Sequence, residues 1–467
     1  MEKVDILIKN SLLLATMDDD REIVNGQLAI KDNKIIAIGT GLDLEFEAAR
    51  VIDATGCLVL PGLINTHHHL YQTLTRAIPL VQDAKLFDWL TNLYELWREI
   101  DEEGFYISAK AGIAELLLTG CTTTSDHLYL FPKGAKNLID VEIKAAQEMG
   151  IRFNATRGSM SRGKSQGGLP PDDVIQTEDE ILTDSERLIN QYHDSSDFSM
   201  CRVSLAPCSP FSVTPELMKQ TAELARKKNV LLHTHLCETM DEEDYCISNL
   251  GMRPLKYMES VDWLGNDVWY AHGIHFNEDE LKVLAEAGTG IAHCPVSNLR
   301  LGSGIAKIPQ FLEMGGKVGI AVDGSASNDS SSLLAEVKMS MLVHRIGTSV
   351  ESMPARKALQ IATTGGASIF NRKDIGQLKK GMAADIAIFK LDDLAYAGSL
   401  SDPLAALLFC GHDTRAEYVI VNGKLLVENK KIINFDTLEL TEMMNKKAKE
   451  MLDRAEKNSG INFLKRK

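Results

Sequence analysis

Six histidines and two carboxylates of this chain fall in four short motifs, each closing an apolar run. Asn65-Thr66-His67-His68-His69 opens the series. Alternate residues of a strand share a face, so His67 and His69 aim together while His68 points away. An imidazole pair of that kind suits a divalent ion. Leu232-His233-Thr234-His235-Leu236-Cys237-Glu238 offers a histidine to complete a metal set, and a carboxylate three residues on that can reach a water there. Tyr270-Ala271-His272-Gly273 and Ala321-Val322-Asp323-Gly324 each end a run with a titratable group. Singly, each has a plain alternative: a core histidine, a solvated Glu, an Asp that caps a helix or makes a turn. Four together favour chemistry over structure: a divalent ion held by the imidazoles, with a carboxylate able to reach a water bound to it.

The elements that must position these groups form a repeat: a short β-rich run, a polar residue at its end, then a helical segment. Eight candidate strands end near residues 64–66, 123–125, 153–155, 203–205, 232–234, 269–271, 290–292 and 319–321. Such alternation demands a parallel sheet. The spacing predicts an α/β fold, a (β/α)8 TIM-like barrel over 61–370, with its site at the C-terminal ends of the strands. The first 60 residues read as an antiparallel sheet with strands at 4–9, 27–31, 34–39 and 51–53. A second set lies at 385–390, 417–421 and 424–428, the last two joined by Asn422-Gly423, a hairpin signal. Residues 1–60 and 371–467 are expected to build one small β-sandwich from both ends of the chain, followed by a terminal helix. The Gly- and Pro-rich segment 158–179 is a long loop, read either as a connector or as a lid.

Composition narrows the partners. With 467 residues, 44% hydrophobic, 25% charged and a net charge of -15, the chain is globular and acidic. Phosphate contacts need clustered Lys and Arg, so no nucleic acid and no anionic membrane surface is expected. Lys465-Arg466-Lys467 reads as a solvated terminus. The eight cysteines form no C-x-x-C pair and are expected to be reduced core residues. The N-terminal apolar stretch is too short for a secretory signal, and the uncharged stretch 56–75 holds Asn, Gln, Thr and His, which rules against a membrane span. A cytoplasmic protein is expected.

The motifs Pro61 to His69 (PGLINTHHH), His233 to Glu238 (HTHLCE), Ala271 to Gly273 (AHG), His293 to Asn298 (HCPVSN) and Val322 to Gly324 (VDG) make the whole chain resemble the amidohydrolase superfamily. Within it, the chain resembles the cytosine deaminase-like branch of triazine hydrolases, guanine deaminases and 8-oxoguanine deaminases. The resemblance implies that His67, His69, His235 and Asp323 bind one divalent metal ion, zinc with iron as the alternative. It implies that Glu238 shuttles protons, that His272 holds and polarises the attacking water, and that Asp323 takes that water's proton. Residues 201–207 contain no Lys, the residue that binuclear relatives carboxylate there, which favours a single ion.

Further segments look most similar to 8-oxoguanine deaminases: His67 to Ala77, Phe87 to Tyr94, Thr124 to Tyr129, Thr156 to Met160, Gly167 to Asp172 and Ala206 to Val213. The expected reaction is 8-oxoguanine to urate plus ammonia, with guanine, isocytosine or an amino- or hydroxytriazine as alternative substrates. A non-catalytic assembly protein on the same fold is the remote alternative. Cys208 replaces a His of many relatives, which agrees with a small base-like ligand. A polar heterocycle needs an amide, a fixed cation and an aromatic wall; Gln72, Arg157 and Trp97 or Tyr129 are candidates. Each has a plain alternative, as a helix cap, an ion-pair partner or core. His127 is a further pocket candidate, and His293 reads as an orienting group. A homo-oligomer fits such enzymes, but the sequence displays no interface.

Overall fold

Eight parallel strands close into a barrel in the computed structural model, which describes every residue except 20, 412–414, 434 and 467. Lys467, the end of the basic tail, therefore lies outside the described residues. The strands are β1 (Leu63–Asn65), β2 (Cys121–Leu128), β3 (Arg152–Ser159), β4 (Cys201–Pro207), β5 (Leu232–Leu236), β6 (Val268–His272), β7 (Gly290–His293) and β8 (Lys317–Ile320). All eight were readable from the sequence, although β2 to β7 each run beyond their expected ends, β2 and β3 the furthest. Helices on the outside begin at side-chain caps: Asp101 accepts from the Gly104 N–H, Thr214 from Leu217, and Asn277 forms a reciprocal capping box with Glu280.

Closure depends on the residue that opens the first motif. Between β8 and β1 only Ile320 and Asn65 are in register. The buried Asn65 side chain strengthens that seam, accepting the Val322 N–H at 2.9 Å and donating to Thr124 Oγ1 at 3.0 Å. One amide thus ties the end of β8 to β2 across β1 and sets the depth at which His67 emerges.

The chain ends build two further sheets. One has seven strands in the order Lys431–Ile432, Lys424–Glu428, Tyr418–Val421, Ile386–Lys390, Cys57–Pro61, Leu13–Ala15, Glu22–Val24. The other has four, Lys34–Gly39, Gln27–Lys31, Glu2–Lys9 and Phe46–Asp53. They share a core of Ile6, Ile8, Leu28, Ile30, Ile386 and Ile388. The expected antiparallel N-terminal sheet needs one correction: Phe46–Asp53 runs parallel to Glu2–Lys9. The single turn of 3-10 helix at Leu42–Leu44 returns the chain in the same direction. Asn422 and Gly423 turn the predicted hairpin with φ of 49° and 79°, the left-handed pair such turns require.

Barrel and sandwich are locked by a buried ion pair. Arg152, at the start of β3, donates from Nε and Nη2 to the two Asp385 oxygens at 3.0 and 3.1 Å, and both residues are at most 2% exposed. Asp385 also accepts the Asn422 N–H at 2.6 Å. Removing one partner leaves an uncompensated buried charge. Asp385→Ala is expected to destabilise the fold by about 3–5 kcal/mol, seen as a lower midpoint in thermal melts; an unchanged midpoint would show that the pair contributes nothing.

Candidate active site

The hydrogen bonds around the barrel mouth fix the protonation of each imidazole. His69 Nδ1 lies 2.7 Å from the His127 carbonyl and His235 Nδ1 2.7 Å from the Cys208 carbonyl. A carbonyl only accepts, so both rings carry a proton on Nδ1, and the neutral form of each has its lone pair on Nε2. His233 Nδ1 donates to the Trp269 carbonyl at 2.9 Å, so its Nε2 must accept from His67 Nδ1 at 2.7 Å. The neutral form of His67 therefore has its lone pair on Nε2 as well, and that atom is buried without a hydrogen-bond partner. Burial holds the His67 imidazole well below the usual histidine range and lowers His235 to about 3, so both are neutral near pH 7.

These lone pairs converge. His69 Nε2 and His235 Nε2 are 3.1 Å apart, and Asp323 Oδ1 is 3.3 Å from both His67 Nε2 and His69 Nε2. Acceptors facing one another with no proton between them repel, and a cation at their centre removes the conflict. The donor set fits one borderline-soft divalent ion. His68 turns the other way, its Nε2 3.0 Å from Ser331 Oγ.

Opposite this cluster, the chain leaves its strands through left-handed residues: φ is 54° at Cys237, 74° at His272 and 61° at Asp323. Such backbone is unusual outside glycine and re-aims side chains at functional sites. Asp323 Oδ2 accepts from Ser297 and, at 3.3 Å, from Ser327, while its Oδ1 accepts the Gly324 N–H at 2.7 Å. His272 Nδ1 donates to Asn298 Oδ1 at 2.9 Å, which turns Nε2 toward Glu238 Oε2 at 3.5 Å. Burial, and then the Asp323 charge, lifts the Glu238 carboxyl to about 8. It is thus a proton donor near neutral pH.

Comparison with known proteins decides the family. A profile of the amidohydrolase family matches residues 58–426. The chain belongs to the amidohydrolase family. It is 47% identical over 416 residues to an 8-oxoguanine deaminase of Pseudomonas aeruginosa, covering 89% of this chain and 92% of the relative. It is 34% identical to an isoxanthopterin deaminase of an unknown prokaryotic organism, covering 96% and 97%. The structure of atrazine chlorohydrolase from Arthrobacter aurescens TC1 complexed with zinc superposes with a TM-score of 0.91 at 36% identity, covering 95% of this chain and all of the other.

In this amidohydrolase a narrow cavity opens beside the histidines. Of the residues singled out in the sequence, His69, His235, Glu238, His272, Asp323, Gln72, Tyr129 and Cys208 line it. Gln72 Oε1 is buried without a partner, and a Cβ at position 324 would come within 1.9 Å of it, so the close approach requires Gly324. Arg157 is not brought to the cavity: it donates to Asp184 at 2.9 Å and Gln176 at 2.8 Å, and its guanidinium lies over Phe131. Trp97 is core, donating to Thr75 Oγ1 at 3.0 Å. His127 stacks on His235 at 4.7 Å and donates from Nε2 to the Ala206 carbonyl, without lining the cavity. His293 faces His344, Nε2 to Nε2, at 3.1 Å.

Sequence reasoning missed the cavity's apolar wall. Leu86, Trp89, Leu90 and Tyr94 recur with helical spacing along Leu86–Trp97 and face inward, joined by Phe211. It also missed Glu242, whose oxygens accept the Cys237 and Glu238 N–H groups at 3.0 and 3.1 Å. The expected loop 158–179 is shorter, since 158–159 end β3 and a helix starts at Glu178; it braces this wall from behind, where Asp173 pairs with Arg98 and Lys164 pairs with Glu95 at 3.1 Å. None of residues 161–179 lines the cavity. Metal analysis after dialysis is expected to give one equivalent of divalent ion per chain, lost in His69→Ala; two equivalents would contradict the single donor set.

Proposed function

We propose that this amidohydrolase hydrolytically deaminates a purine-like base, with 8-oxoguanine converted to urate and ammonia as the expected reaction. The observation that carries this reading is the convergence of three imidazole Nε2 atoms and Asp323 beside the buried carboxyl of Glu238, which burial keeps protonated near neutral pH. The identity with the 8-oxoguanine deaminase supplies the ring system. His67, His69, His235 and Asp323 would hold the ion, zinc as in the atrazine chlorohydrolase structure, with iron as the alternative. Such an ion, when bound, acts as a Lewis acid and lowers the pKa of water.

The side chains then divide the proton work. His272, fixed by Asn298, holds the attacking water through Nε2, and Asp323 takes a proton from it. Glu238 delivers a proton to the ring nitrogen as the carbon becomes tetrahedral. Glu238, restored by the proton that Asp323 took, then protonates the amine; ammonia leaves, and the hydroxyl proton remaining on the carbon returns to Glu238. Gln72 Oε1 accepts an N–H of the ring, while Tyr129 and Cys208 face it. No Lys or Arg is among the described cavity-lining residues, which suits an uncharged base better than a phosphorylated nucleotide. Trp97 packs on the wall residues Trp89 and Tyr94 from outside the cavity, whereas Arg157 is engaged by Asp184 and Gln176.

The test is ammonia release by the zinc-loaded protein from 8-oxoguanine, guanine, isocytosine and hydroxylated triazines. A preference for 8-oxoguanine is expected, and inactivity on all four would refute a deaminase of these rings. Glu238→Gln should keep its metal and lose about 10²–10⁴-fold in turnover; near-normal turnover would remove Glu238 from the proton path. His68→Ala should retain metal and most activity, because His68 faces Ser331 rather than the cavity. A metal-free His68→Ala protein would show that the wrong face of the strand had been assigned.

A further inference from the structure

We infer that Glu336 is a positioning residue for both Asp323 and His272, acting through the short helix Pro295–Arg300; the inference rests on the roles proposed above for those two side chains. That helix follows β7 and reaches both neighbours. Its Ser297 hydroxyl donates to Asp323 Oδ2, and its Asn298 side-chain amide oxygen Oδ1 accepts from His272 Nδ1 at 2.9 Å. A rotation of the helix would therefore move the Asp and the His together.

Glu336 fixes that helix against the loop after Asp323. The residue comes from Leu333–Gly347, has no exposed surface and lies outside the cavity. Its Oε2 accepts the Val296 N–H at 3.1 Å. Its Oε1 accepts from Asn328 Nδ2 at 2.7 Å, and the same amide donates to the Val322 carbonyl, one residue before Asp323. The two halves also meet at the site, where Ser297 Oγ and Ser327 Oγ are 2.8 Å apart. One buried carboxylate thus joins the segments that follow β7 and β8, and both segments end on Asp323. Burial lifts the Glu336 carboxyl to about 8, but both of its partners are donors, so the two bonds it accepts favour the ionised form.

Glu336→Gln keeps the shape but presents one N–H2 group where two acceptors are required, so one bond is lost. Zinc affinity, measured by chelator competition, is expected to fall 10–100-fold, and turnover of the zinc-saturated variant should drop while KM holds. Ser297→Ala should add little to this loss, since both changes act on one path. A folded Glu336→Gln protein with parental zinc affinity and turnover would overturn the inference. So would a lower melting temperature with both of those quantities unchanged, which is the mark of a purely structural residue. If Glu336→Gln does not fold, Asn328→Ala cuts the other bond and is read in the same way. Asp323→Ala separates the two levels. Normal zinc affinity in that variant would remove Asp323 as a ligand and sink the proposed site. A loss there, with none in Glu336→Gln, would sink only the role of Glu336.

Discussion

Three imidazole Nε2 atoms and one carboxylate point at a common centre, and the rest of the barrel mouth is organised around that arrangement. Each imidazole is held by a bond on its far nitrogen: His67 by His233, His69 by the His127 carbonyl, His235 by the Cys208 carbonyl. Those bonds choose the tautomer, and the tautomer leaves the near nitrogen without a proton. Without a cation the cluster is a buried electrostatic conflict. With one it becomes a single donor set, beside a carboxyl whose burial keeps it protonated near neutral pH.

Holding such a cluster costs stability locally. Left-handed backbone at Cys237 and His272 carries about 1–3 kcal/mol each, and the mouth contains several buried polar atoms without partners. The opposing contributions lie away from the chemistry, in the Asn65 seam, the Arg152–Asp385 pair and the shared core of the two terminal sheets. The same division of labour appears in the helix Leu86–Trp97, whose inner face closes the cavity while its outer face and C-terminal end are tied to the loop after β3 through Lys164 and Asp173.

The barrel was legible because each strand is a short apolar run that ends in a polar residue, and the same ends carry His67, His69, His235, His272 and Asp323. Those groups are encoded within a few residues of their strands. What was not legible depends on distant partners. The parallel pairing of Phe46–Asp53 is set by a crossover, not by the strand's own pattern. Arg157 looked like a ligand group because its partner Asp184 is 27 residues away in sequence. Glu242 sits in an acidic run that reads as a solvated helix face, and Glu336 in an ordinary helix. Nothing local reveals that either is buried against backbone N–H groups.

X-ray absorption at the zinc edge of the loaded protein tests the convergent donor set most directly. Three imidazole nitrogens and oxygen at about 2.0–2.2 Å are expected. A sulfur scatterer at about 2.3 Å, which would bring in Cys208, or fewer than three imidazoles, would contradict the assignment of His67, His69 and His235.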